Sequence, residues 1–367
     1  MVENKGTVLY IGGFELPDKN PAAHRVLSVA KLFRTLGYKV KFLNKTNAAL
    51  KYDEIDGFEV HNSPKPSSPI SQVRSLFCTK DVRKYLSSNA DVVCVVAYNY
   101  PSFALNRIRK YCKKRNIKCI ADITEWYKSF YVNPFKMITK GIDSWYRMRF
   151  VHKKMDGIIA ISDYLEKYYA PYVPVLNLPP VVDKSDAKWN IEKKEHDGIE
   201  FVYAGSPSRT KERLDLIVNA VEKLNEKVKV NLTVVGITEK QFSKMYAIPS
   251  KEYGCVKFLG RVTHSEALNS VAQADYSFLI RDENRVTKAG FPTKFVESIS
   301  AGTAVIANDN SNIARHIMEG VGGYIVDSDN LIEELERIVG RELPEVNAER
   351  FDYPKYLSDM SSFVEAI

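Results

Sequence analysis

The feature that most narrows what this chain folds into is an alternation that runs, stops and starts again. Apolar strand candidates at Thr7–Ile11, Lys39–Leu43, Val92–Ala97, Lys118–Ile123 and Gly157–Ile161 are separated by amphipathic helix candidates at Ala23–Leu36, Ser71–Ser87, Ser102–Arg115 and Ile142–Lys154. Strands joined by crossover helices form parallel sheets. "HNSPKPSSP" reads as a loop, and "NLPPVVDKSD" followed by "EKKEHDG" reads as a hinge. Beyond it come strand candidates at Ile199–Ala204, Lys229–Val235, Val256–Leu259, Tyr276–Ile280 and Ala304–Ala307, and helix candidates at Lys211–Leu224, Ser265–Ala272, Pro292–Ala301, Leu331–Val339 and Tyr353–Ile367. The expected fold class is α/β, with two doubly wound domains, 1–183 and 184–350, and a terminal helix at 351–367. Such sheets bind ligands beyond the carboxyl ends of their strands, so the strand-to-helix loops of two facing domains line a cleft.

Composition supports two cores: the chain has 367 residues, 45% of them apolar. No apolar run approaches the ~18 residues of a membrane span, and Val8–Ile11 is a short strand candidate followed by glycines rather than the core of an export signal. A cytoplasmic location is expected. Cys78, Cys94, Cys112, Cys119 and Cys255 are scattered, with no CxxC pair and no His at zinc spacing, which suits reduced thiols and no metal site.

Charge is unevenly divided: residues 1–183 carry 29 Lys and Arg against 16 Asp and Glu, and residues 184–367 carry 24 against 29. The basic half lacks stacking motifs, helix-turn-helix and zinc-finger spacing, so nucleic acid is not an expected partner. An anionic membrane surface or a phosphorylated lipid acceptor accounts for the asymmetry, and a solvated basic face is the alternative. Arg147, Arg149, Lys153 and Lys154, with Trp145, Tyr146, Met148 and Phe150 in the same helix candidate, mark where a peripheral membrane contact is expected.

Four loops hold candidate chemistry. In "YIGGFELPDKNPAAHR", Gly12 and Gly13 let backbone N–H groups approach a ligand, or make a tight turn; the GxGxxG of a dinucleotide site is missing. In "ADITEWYKSF", Asp122 or Glu125 is placed to orient or deprotonate an acceptor hydroxyl and Trp126 to pack on a sugar or lipid, the alternative being a helix cap at Asp122 or Thr124. In "YAGSPSRTKERLDLI", Gly205, Arg209 and Lys211 suit a diphosphate, or a solvated helix start. In "LIRDENRVTKAGFPTKFVESISAGTAVIA", Arg281, Arg285, Lys288 and Lys294 precede or open a helix carrying Glu297. Pro292 fits that helix's first turn and Gly302 its stop. Thr293 and Glu297 are four apart and Lys294 and Glu297 three apart, which gathers a hydroxyl, a cation and a carboxylate at an anion-binding helix end. Glu297 can accept hydrogen bonds from two vicinal ribose hydroxyls, or serve as a cap.

With these loops in view, the chain resembles the retaining, nucleotide-sugar-dependent glycosyltransferases of family 4 (group 1), which have two Rossmann-like domains in the GT-B fold. "FVYAGSPSRTKERLDLIVNAVEKL", "VKFLGRVTHSEALNSVAQADYSFL" and "PTKFVESISAGTAVI" carry the likeness in the second half, and "IGG", "RVLSVAKLFRTLGYKV" and "DGIIAISDYLEKYY" carry it in the first. The resemblance implies that "FDYPKYLSDMSSFVEAI" crosses back to the first domain, that Lys211 with Arg209 clamps the donor diphosphate, that Glu297 holds the ribose, and that Gly13 approaches the phosphates. The family often has a second glutamate eight residues before Glu297, where this chain has Ala289, and often a His where "DITEW" stands, a role Asp122 or Glu125 would take. "RDENRVTKAGFPTKFVES" is most similar to a subgroup of bacterial surface-polysaccharide assembly.

The implied reaction is metal-independent, cofactor-free transfer from a nucleotide-sugar donor to a saccharide or lipid-linked saccharide acceptor, with the leaving diphosphate taking the acceptor's proton. Arg281, Pro292, Thr293 and Lys294 would complete the donor site. A non-hydrolysing nucleotide-sugar epimerase and a non-catalytic nucleotide-sugar-binding protein are the rival readings.

Overall fold

An apolar run that is buried on both faces can only be a central strand. Thr7–Gly12 is buried at every position, and the first sheet grows from it. In the computed structural model, which describes residues 5–16, 21–46, 53–207, 212–318, 320 and 322–367, the strands of the first half are β1 (Thr7–Gly12), β2 (Lys39–Thr46), β3 (Glu54–Ile55), β4 (Phe58–Pro64), β5 (Val92–Tyr98), β6 (Lys118–Ile123), β7 (Gly157–Ala160) and β8 (Val175–Asn177). Their order is β3-β4-β2-β1-β5-β6-β7-β8. All pairs are parallel except β3 with β4.

The second half supplies β9 (Ile199–Ala204), β10 (Val230–Val235), β11 (Val256–Gly260), β12 (Tyr276–Leu279), β13 (Ala304–Ala307) and β14 (Gly323–Ile325). These form a parallel sheet in the order β11-β10-β9-β12-β13-β14, the doubly wound arrangement whose order reverses between its first and fourth strands. Phe201 and Tyr203 pack with Leu214, Ile217 and Phe278 on one face, and Val202 packs with Val271 and Ala274 on the other.

The chain divides into two compact units, Met1–Val181 with Tyr353–Ile367, and Val182–Asp352. The terminal segment, a turn of 3-10 helix at Tyr353–Tyr356 and a helix at Leu357–Ala366, joins the first unit. Tyr356, Met360 and Phe363 sit in one core cluster with Val26, Val29 and Leu176.

Local differences from the sequence reading have local causes. His61 to Pro64, expected in a loop, completes β4, where a strand end tolerates proline. The expected helix Ser71–Ser87 is two, Pro69–Ser75 and Lys80–Ser88: the chain turns between them as the Leu76 carbonyl accepts the Ala104 N–H at 2.8 Å and the Leu76 side chain is buried. The expected helix Ile142–Lys154 starts earlier, at Pro134, where the Asn133 side chain accepts the Lys136 N–H at 3.0 Å. Its run to Lys154 includes π-helical stretches at Met137–Ile142 and Arg147–Val151.

Candidate functional site

The site is built where the second sheet changes direction. β9 and β12 pair over two positions, Phe201 with Tyr276 and Val202 with Ser277, so the pairing stops short of both carboxyl ends. Past β9 the chain leaves through Gly205; past β12 it reaches Arg281. An isolated antiparallel bridge joins Glu212 to Arg281, and the Arg213 N–H donates to the Ile280 carbonyl at 3.0 Å. Asn308, just beyond β13, holds Arg281 by both backbone groups: its Oδ1 accepts the Arg281 N–H at 2.9 Å, and its Nδ2 donates to the Arg281 carbonyl at 2.8 Å.

A cation comes back into this frame from the helix Thr293–Ser300. Lys294 Nζ lies 2.9 and 2.8 Å from the two carboxylate oxygens of Glu212 and 3.2 Å from the Tyr203 hydroxyl, which itself donates to Glu212. Side-chain exposure is 22% for Lys294 and 10% for Glu212, so the pair is largely withdrawn from water. Burial raises the proton affinity of Glu212, but the Lys294 charge and the hydrogen bonds from Lys294 and Tyr203 outweigh it and hold the carboxyl below its usual range. Burial also lowers the pKa of Lys294, and Arg281 adds to this, while Glu212 offsets only part. Gly205, at φ +146°, makes room: a Cβ there would overlap Cε and Nζ of Lys294. Neither Glu212 nor Tyr203 was singled out by the sequence reading. The one signal was the strand-end position of "YAG" and the charged "KER" after it.

Glu297 lies one turn further along the same helix and turns elsewhere. Its Oε1 is 3.2 Å from His264 Nε2, with both side chains partly exposed. His264 opens the helix His264–Gln273, whose N-cap Thr263 and N3 Glu266 form a reciprocal capping box. Helical spacing places Lys294 and Glu297 on neighbouring positions, yet the structure sends the first to Glu212 and the second to His264. Pro292 is the N-cap, one position before the first turn where it was expected, and offers no side-chain acceptor to the N–H groups of that turn. Thr293 then begins the helix, with Phe295, Val296 and Ile299 buried and Gly302 past its end at φ +82°. Ala289 is buried.

The other cations of this loop are parted. Lys288 pairs with Glu283, and the helix Arg285–Ala289 that carries it is capped by Asn284, whose Oδ1 accepts from the Val286 and Thr287 N–H groups at 2.9 and 3.1 Å. Arg209 and Lys211 lie outside the described residues.

In the first unit, Gly12 closes β1 against β5, and a Cβ there would lie 2.8 Å from the Tyr98 carbonyl oxygen; Gly13 is exposed. Asp122 is buried, accepting the Tyr10 hydroxyl at 2.5 Å and the Arg25 guanidinium at 3.1 to 3.3 Å. Arg25 continues to the Leu178 and Pro179 carbonyls at 2.7 and 2.8 Å, which ties β6, the first helix and the segment after β8 together. Glu125, three residues on, is exposed. Trp126 is buried edge-on to Tyr164 and Tyr168, and residues 124–131 are not helical, so neither Asp122 nor Thr124 is a helix cap. Among the described residues no group of three or more His, Cys, Asp or Glu could hold a metal ion.

Residues 198–341, almost all of the second unit, match the family model described as glycosyl transferases group 1. No curated protein matches in sequence. Solved structures share the fold over nearly the whole chain. Sucrose-phosphate synthase from Thermosynechococcus elongatus aligns with a TM-score of 0.65 at 12% identity, covering 98% of this chain and 94% of its own. Anabaena HepE in complex with UDP and glucose aligns at 0.65 and 13%, covering 99% and 100%. The lipopolysaccharide outer core galactosyltransferase WaaB aligns at 0.62 and 13%, covering 98% and 99%. The fold is thus the two-sheet GT-B architecture of these proteins.

Proposed function

We propose that this chain transfers a glycosyl group from a nucleotide-sugar donor to a hydroxyl of a saccharide or lipid-linked saccharide, with retention at the anomeric carbon and without a metal ion, in the assembly of a bacterial polysaccharide or glycoconjugate. The observation that carries the reading is the Tyr203–Glu212–Lys294–Arg281 constellation at the switch point of the sheet matched by the glycosyltransferase model.

A sugar nucleotide presents a diphosphate and two vicinal ribose hydroxyls. Lys294, held by Glu212, and Arg281, whose backbone Asn308 holds, are the cations for the first, and Glu297, turned by His264, is an acceptor for the second. Pro292 and Thr293 present the start of their helix to the same anion. By the resemblance, Arg209 and Lys211 complete the clamp. Glu125, exposed beyond β6, orients the acceptor hydroxyl, while Asp122 anchors the strand from which it projects.

The acceptor attacks on the face the diphosphate leaves, and that diphosphate takes the proton. Fixed positive charge is more valuable as the leaving group's negative charge grows, so it acts on the transition state more than on the bound donor. Loss of one comparable charge-stabilising donor costs about 2.7–4 kcal/mol. A thermal-shift screen against UDP-, GDP- and ADP-sugars, with a CMP-sugar as the single-phosphate comparison, tests the reading first: a true donor at 100 times its Kd stabilises by about 2.7 kcal/mol, and no response to any of the three diphosphate donors contradicts it.

A further inference from the structure

The helical run from Pro134 to Lys154 buries polar groups alongside Met148 and Val151 and leaves large apolar side chains exposed. Its buried face carries Asp143, Ser144, Arg147 and His152, and each charged or basic group there is held: the Ser102 N–H donates to Asp143 at 2.6 Å, Arg147 donates to the Asn99 and Tyr100 carbonyls at 3.2 Å each, and His152 meets the Tyr169 hydroxyl at 3.3 Å. Its outward face carries an apolar row beside exposed lysines. Phe135, Ile138, Ile142 and Trp145, spaced three, four and three residues apart, are 40%, 54%, 40% and 45% exposed. Just before the run, Phe130 and Val132 are 75% and 92% exposed.

The apolar surface continues onto a second segment. Phe150, Tyr146, Phe103 and Phe77 stack in series with centroids 5.8, 5.2 and 4.9 Å apart. Phe77 follows the helix Pro69–Ser75, which buries none of its residues and leaves Ile70 81% exposed. Charge on the face has one sign. Residues 128–154 hold seven Lys and Arg against a single acidic residue, the buried Asp143, and Lys128, Lys136, Lys140 and Lys154 are exposed.

Of the four cations singled out in the sequence, only Lys154 is exposed on this run; Arg149 lies over the Trp126 ring. Arg147 is buried with Met148, and Lys153 lies over the rings of Tyr168 and Tyr172.

We propose that this face docks on an anionic lipid bilayer, with Phe135, Ile138, Ile142 and Trp145 entering the interface and Lys136 and Lys140 meeting the headgroups. An amphipathic element of this kind lies in the interface plane, and no helix among the described residues is long and apolar enough to cross a membrane. A two-fold contact of the face with a second copy would set cation against cation, whereas an acidic headgroup layer complements it. The surface deepens the transfer reading, on which it rests only for the idea that the acceptor is lipid-carried.

The test is flotation of the full chain with vesicles of phosphatidylcholine alone and of phosphatidylcholine with phosphatidylglycerol, without donor or acceptor. Flotation is expected with the acidic vesicles at low salt and is weakened by salt. Ile138→Glu with Trp145→Glu abolishes it, while Leu343→Glu, an exposed apolar site in the other unit, leaves it unchanged. Lys136→Gln with Lys140→Gln lowers the partition coefficient about 30-fold, at about fivefold per cation. Because all these side chains are exposed, melting curves should match the wild type. No flotation at low salt overturns the proposal, as does flotation indifferent to the Ile138 and Trp145 changes. A wild type that is dimeric in solution, made monomeric by those changes and never bound to vesicles, assigns the face to a second copy instead. Donor titrations without vesicles judge the transfer reading separately.

Discussion

Glu212 and Lys294, 82 positions apart in the chain, meet with Lys294 Nζ 2.8 Å from Glu212 Oε2 beneath the Tyr203 hydroxyl. The carboxylate fixes the position of a lysine whose charge faces the strand ends where the diphosphate is proposed to sit, and it sustains that charge against burial. On the proposed reading, this pair ties stability to donor recognition.

Removing one partner leaves the other buried without its counter-charge. Glu212→Ala is expected to lower unfolding free energy by about 3 kcal/mol, as for other pairs withdrawn from water. Denaturant titration measures it; a change under 1 kcal/mol, on the order of an exposed ion pair, would show that the pair does not hold the site together.

The pH dependence has a definite sign. Lys294 has a pKa below that of a free lysine, because burial outweighs Glu212's attraction. Donor affinity that depends on its charge therefore declines on the alkaline side before an ordinary lysine would titrate. Glu212→Gln removes the attraction that raises the lysine's pKa, so the alkaline limb of donor affinity moves to lower pH. Calorimetric titration across neutral to alkaline pH checks this, and a limb that stays or moves upward rejects Lys294 as the titrating cation. Glu212 itself, held below its usual range, contributes stability above the unfolded carboxylate's pKa that is lost as pH falls through the folded value.

Gly205→Ala is expected to displace Lys294, because its Cβ would occupy the lysine's path and its φ of +146° strains any other residue. Donor affinity should fall at least tenfold in calorimetry. Wild-type affinity would mean that the lysine is not needed where it stands.

The two carboxylates at the end of β6, Asp122 inside it and Glu125 just beyond, should separate cleanly. Asp122→Ala breaks a buried ion pair with Arg25 and is expected to cost about 3–5 kcal/mol of stability. Glu125→Gln, at an exposed position, should leave the melting temperature unchanged and lower kcat without changing donor Kd. Equal effects on stability would remove the distinction.

Much of this was legible because it is local. The strand Ala304–Ala307 and the helix Leu331–Val339 stand where composition, period and flanking residues put them, since the strand is a short apolar run buried throughout and the helix buries one continuous face. The helix Arg285–Ala289 and the strand Gly323–Ile325 are too short to show a period. Glu212 escaped notice because its meaning lies in Lys294, and spacing along one helix carries no information about a partner on another loop. Asp122 illustrates the converse: its strand-end position suggested chemistry, while its burial and the reach of Arg25 could only come from the fold.

The most direct test of the central claim is product analysis by proton NMR with the donor found in the screen and a saccharide acceptor. The account predicts one nucleoside diphosphate released per glycoside formed, the glycoside keeping the donor's anomeric configuration, with Glu297→Ala weakening donor binding about 10- to 100-fold, as loss of charged hydrogen bonds implies. An isomerised donor with no glycoside, or a donor that binds and yields no nucleoside diphosphate with any acceptor, would contradict it.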